Sequence, residues 1–129
     1  MDRLVDGGKL WSVREVLKEL DVLCRHDSVI AWAHSHRRLF RRPSTEEMAV
    51  VTEILAVPGF DGLVKMKSIL RGSPVADPFL IAAAKTHEGC VVTMEEDRPG
   101  AKIPHVCKHF HVDCTSLRGF FKREQINLL

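Results

Sequence analysis

The chain has 129 residues, 45% of them hydrophobic and 28% charged, with a formal net charge of +2. That length corresponds to one domain, 1–129, with enough residues to bury a core, and that composition excludes intrinsic disorder. A net charge so close to zero also excludes nucleic-acid capture by a general positive field, so any such contact must come from local clustering.

In chain order, Ser12 followed by Glu15 reads as a capping box, and Val13, Val16, Leu17 and Leu20 then share one helical face, which predicts a helix over about 12–23. A second amphipathic stretch, about 28–40, carries Val29, Ile30, Trp32, Ala33 and Leu39 and ends in an arginine cluster before Pro43. Ser44 with Glu47 is another capping box, opening a helix that bears Met48, Val51 and Leu55 and closes at Pro58-Gly59. Residues 61–71 keep helical spacing through Leu63, Met66, Lys67 and Leu70, with Gly72 as a stop. Asp77 then reads as an N-cap, with Pro78 at the first helical position and Phe79, Leu80, Ile81 and alanines behind it. Val91-Val92-Thr93 predicts a short strand over about 89–93, followed by a loop at Arg98-Pro99-Gly100. Pro104 starts a helix through Phe110, Val112-Asp113-Cys114 reads as a strand, and Leu117 to Arg123 as a last helix.

Helices alternating with strands in the second half predict an α/β fold with a small parallel sheet. Only two strands are legible, and a two-stranded sheet is marginal alone. Met1 to Leu10 offers no further candidate, so a central strand is expected to be missing.

Cys24, Cys90, Cys107 and Cys114 have no paired spacing, and neither a signal peptide nor an apolar run of membrane-spanning length is present, which predicts a reduced, cytoplasmic protein. Arg37, Arg38, Arg41 and Arg42, preceded by His34 and His36, are the local basic cluster. A solvated helix end is the bland reading of it, and RNA phosphate contact the functional one. His105, Cys107, His109, His111 and Cys114 include zinc-ligand types, but their spacing matches no standard structural zinc site. Alternate positions also point to different sides of the expected helix, so a buried Cys107 with solvent-facing histidines is the expectation. No nucleophile elbow or phosphate-binding glycine loop occurs.

The acids carry the strongest functional signal. Asp77 opens a helix, while Glu95 and Glu96 follow the strand that ends at Thr93, and ligands in open α/β sheets bind beyond the carboxyl ends of strands. Glu15 is accounted for by its capping box, and Glu19 lies one turn further along.

Four segments in order, Gly8-Lys9-Leu10-x-Ser12-x-x-Glu15-Val16-x-x-Glu19-Leu20, Ala76-Asp77-Pro78-Phe79-x-Ile81-Ala82-x-Ala84, Val91-Val92-Thr93-x-Glu95 and Lys102-Ile103-Pro104-x-Val106-Cys107, resemble a PIN-like domain. More narrowly, they resemble a bacterial PIN-like family of unknown function related to the VapC toxin ribonucleases. The resemblance implies a three-layer α/β/α fold and an endoribonuclease dependent on Mg²⁺ or Mn²⁺, one such role being the toxin partnered by an antitoxin protein. It assigns metal ligation to Glu19, Asp77 and Glu95, with Glu95 standing where the pattern has Asp, and puts Thr93 beside them to orient a carboxylate or a water. Hard oxygen ligands of this kind suit those ions. Members of the family open with a strand ending in roughly Asp-x-Asn, and this chain starts after that point. The alternative expectation is therefore a catalytically impaired interaction protein that binds a partner, or a second copy as a homodimer, through the missing-strand position.

Overall fold

The structure, a computed structural model, describes residues 7–63, 76–97 and 99–125. Among these residues it is a mixed α/β fold of six α-helices and two parallel strand pairs. The elements are β1 (Ser12–Val13), α1 (Arg14–Leu23), α2 (Asp27–Ser35), β2 (Phe40–Arg41), α3 (Thr45–Ala56), α4 (Asp77–Thr86), β3 (Cys90–Thr93), α5 (Ile103–His109), β4 (Asp113–Ser116) and α6 (Leu117–Arg123). Short 3₁₀ turns occupy Arg37–Leu39 and Phe60–Leu63.

The first half differs from its sequence reading. Ser12 does not cap a helix, because it lies in β1, where Ser12 pairs with Phe40 and Val13 with Arg41. Val13 is instead the N-cap residue of α1 and makes no side-chain cap bond. The expected helix over 28–40 stops at Ser35 and gives way to a 3₁₀ turn and β2. Pro43 helps explain the change, since it disfavours helical backbone at Arg42, just before it. Strands of two residues carry too little alternation to be read from sequence.

Ser44 does cap α3, its Oγ accepting from Glu47 N–H at 3.1 Å. The reciprocal half of that box is replaced: the buried Glu47 carboxylate bonds His87 Nε2 at 2.8 Å. Met48 of this helix is 44% exposed, whereas Val51 is buried. Of the helix expected over 61–71, only the opening 3₁₀ turn lies among the described residues.

α4 begins at Asp77, with Ala76 as N-cap, so Asp77 sits inside the first turn rather than before it. Ile81, Ala82, Ala83 and Ala84 are all buried because α4 packs against α3 on one side and against both β1 and β3 on the other. A helix apolar all round belongs in such a position, and alanines allow close approach on the crowded side. The main core joins Val51 and Ile54 of α3, Phe60, Ile81 of α4, Val91 of β3, and Val106 and Cys107 of α5.

β3 and β4 pair in parallel from Cys90↔Asp113 to Thr93↔Ser116, with α5 as their connection. α6 runs over Leu117–Arg123, the range its sequence predicts, and Ser116 Oγ caps it by accepting from Gly119 N–H. Arg123 of α6 returns to β4 and holds both carboxylate oxygens of Asp113, at 2.8 and 3.3 Å.

Candidate functional site

α4 gives the site its two ends. Each strand pair is parallel, and α4 leads directly into β3, so its first residue lies at the end of the sheet where β3 finishes and its last where β3 begins. Asp77 marks the first of these ends.

There, Glu19 Oε1 of α1 accepts the Ala76 N–H at 2.9 Å across 57 residues of sequence. That bond brings Glu19 and Asp77, both half-buried, onto adjacent residues of the fold. Glu15, four residues before Glu19 on the same face of α1, is buried at 5% exposure, and its Oε2 takes Arg14 Nε at 3.1 Å. Its Oε1 is also buried and has no hydrogen-bond partner among the described residues. The capping-box reading of Glu15 is thereby corrected: β1 pairing takes Ser12 away, and the freed carboxylate turns inward.

The other two predicted residues form a turn of their own. Thr93 Oγ1 accepts Glu95 N–H at 3.1 Å, and Glu95 Oε2 accepts Ile103 N–H at 3.4 Å at the start of α5. Glu95 therefore helps to satisfy a helix N-terminus, where a carboxylate is electrostatically favoured. Among the described residues, no group of three or more His, Cys, Asp or Glu side chains is placed to hold a metal ion.

At the opposite end of α4 lies the basic cluster. Trp11, immediately before β1, meets the His87 ring edge-on at 5.5 Å, and His87 is the C-cap of α4. Arg41 lies over the face of Trp11, 4.6 Å from its centroid. Trp11 and Arg41, with His36, Arg37 and Arg38, line a pocket of about 500 Å³. Arg42 is exposed and outside that lining. Trp11 carried no signal in the sequence reading, because only the pairing of β1 with β2 brings it under Arg41.

Between the two strand pairs is a larger cavity, about 580 Å³, lined by Leu10, Trp11 and Ser12 on one side and by Gly89, Val91 and Val92 on the other. Leu80, Ala83 and Ala84 of α4 contribute to its wall. β1 and β3 thus belong to two separate two-stranded sheets with a cavity between them.

The histidine and cysteine group takes a packing role. His105 and His109, four apart on α5, both meet Phe60 edge-on, at 5.9 and 5.2 Å. His109 remains exposed, whereas Cys107 is fully buried. Hydrogen bonding between the Cys107 and Cys114 thiols pushes Cys107 up and holds Cys114 below the usual thiol value. Burial, then the charge of Asp113, pushes the exposed-edge Cys90 thiol up.

Among the described residues, no helix is long and apolar enough to cross a membrane. A family model described as "Domain of unknown function (DUF4411)" matches residues 1–128. No curated protein and no solved structure matches.

Proposed function

We propose that this chain, which belongs to the DUF4411 family, is a PIN-like endoribonuclease of the cytoplasm, dependent on Mg²⁺ or Mn²⁺ and acting as the toxin of a toxin–antitoxin pair. The observation that carries the reading is the bond from Ala76 N–H to Glu19, which joins two acid-bearing elements far apart in sequence beside Asp77. The buried Oε1 of Glu15, one turn away and without a hydrogen-bond partner among the described residues, supports it further. A buried oxygen left unsatisfied costs about 1–3 kcal/mol, and a hard cation is one way to satisfy it.

In this reading Glu19 and Asp77 hold the metal, with Glu95 as the third acid and Thr93 fixing the turn that carries it. Such ions retain waters and accept substrate phosphate oxygens, so a small set of protein carboxylates is enough. When bound, the metal supplies an activated water and charge stabilisation at phosphorus. Glu19 has a structural duty as well: with one oxygen on Ala76 N–H, it fixes the start of α4 and so the position of Asp77.

Calorimetric titration of the folded chain with Mn²⁺ tests the reading. Saturable binding that disappears in Asp77→Ala, together with loss of metal-dependent RNA cleavage in that variant, is the expected result. Unchanged binding and cleavage in a folded Asp77→Ala protein would refute the assignment.

The cavity between β1 and β3 favours a second reading, a catalytically impaired PIN-like interaction protein. An extended segment from a partner or from another copy would lie between the two strand pairs and join them into one sheet.

A further inference from the structure

We infer that the pocket between Trp11 and the 3₁₀ turn is an anchor for a phosphate group of single-stranded RNA, separate from the acids and at the far end of α4. The inference rests on the ribonuclease reading for the identity of its ligand, but not for the existence of the pocket.

Four features point there. First, among the described residues the pocket is lined by three arginines and His36, with no Asp or Glu. Second, none of Arg37, Arg38 and Arg41 pairs with a carboxylate among the described residues, and the nearest polar partner of Arg37 is His34 Nδ1, at 3.4 Å. Cations gathered without counter-charges repel one another, and an anion between them relieves that repulsion. Third, Arg41 is already held over the Trp11 ring, so less side-chain freedom is lost when it binds. A guanidinium also offers the forked donor geometry that phosphate accepts. Fourth, a cleft of about 500 Å³ is of nucleotide size.

The distance from the acids follows from α4 itself. Trp11 touches His87 at one end of the helix and Asp77 opens the other, ten residues away, or about 15 Å along the axis. A strand bound here would lie across the molecule, with one phosphate at the arginines while another reaches the acids. The pocket therefore acts as a positioning element for the substrate and does not touch the reacting phosphorus.

The test is fluorescence anisotropy of a labelled oligouridylate with the whole chain in EDTA at low salt, so that no metal contributes. Wild type should bind, and the double variant Arg37→Ala/Arg38→Ala, checked for an unchanged circular dichroism melt, should bind at least tenfold more weakly. The slope of log K against log salt should fall by about 0.7 in the double variant, the value for one phosphate contact on a single strand. Mn²⁺ titration of the same variant should match wild type, which keeps this test distinct from that of the acids. Equal RNA binding by wild type and the arginine variant would overturn the inference and leave the ribonuclease reading standing. No RNA binding by wild type, or binding of uridine monophosphate or inorganic phosphate without RNA, would overturn the assignment to an RNA strand.

Discussion

At the scale of single residues, the pairing of strands decides which side chains become available. Ser12 and Glu15 have the spacing of a capping box, yet β1 pairing removes Ser12 and sends Glu15 inward. Glu47 keeps its cap partner in Ser44 but gives its carboxylate to His87, 40 residues away. Neither redirection was legible, because both depend on contacts between distant segments, as does the Glu19 bond to Ala76. Asp113 illustrates the same dependence with a measurable consequence. The Arg123 guanidinium holds its carboxyl below the usual carboxylate range. A folded-state value below the unfolded one means that the pair's stabilisation is present above the unfolded value, near 4, and is lost as pH falls through the folded one. Both side chains are about half exposed, so the effect is small. Thermal melts from pH 5 to 2 should decline less steeply in Asp113→Asn than in wild type; parallel curves would show that the pair contributes nothing.

At the scale of elements, legibility followed length and burial. α3, α4, β3, α5, β4 and α6 all occur near their expected positions, and all of these but α6 supply residues to the main core or pack against it. The Asp77-Pro78 opening and the alanine run made α4 readable, and its burial on two sides explains why that run is so uniformly apolar. β1 and β2 contribute two residues each, and β2 falls within an arginine-rich stretch, so pairing rather than pattern defines them. α2 further separates pattern from packing: Val29 and Trp32, which fit an amphipathic face, are 42% and 40% exposed, and Ala33 alone is buried. Stability should therefore concentrate where α3 meets α4. Ile81 is fully buried there, and Ile81→Ala removes most of its side chain from a site closed by helices and β3. Urea titration should register a loss of about 2–5 kcal/mol, the range for truncating a buried aliphatic side chain. Ala at exposed Val29 should change stability by less than about 0.5 kcal/mol. Similar losses at both positions would mean that α2 is covered in solution.

At the scale of the whole molecule, α4 is the element on which everything else is referenced. It separates the acids from the arginines by its own length, and it packs against both β1 and β3 while those strands stay in separate sheets. An isolated pair of strands is marginal, so each sheet leans on α4 for its stability rather than on its own ladder. That arrangement predicts an uneven pattern of native-state hydrogen exchange. Amides in the middle of α4, around Ile81 to Ala84, should be among the slowest, because their bonds are intrahelical and their side chains buried. Amides of β1 and β3 should exchange faster where they face the cavity, since no further strand pairs with either among the described residues. The same experiment discriminates between the two functional readings. If the cavity takes an extended segment from a second copy, protection at Ser12, Val13 and the Cys90–Thr93 strand should rise together as protein concentration is raised, because one inserted strand would pair with both sheets at once. Protection of β3 without β1 would mean contact at one edge only. Exchange independent of concentration, with metal binding intact, would leave the cavity unbridged by another copy and favour the nuclease working as a single chain.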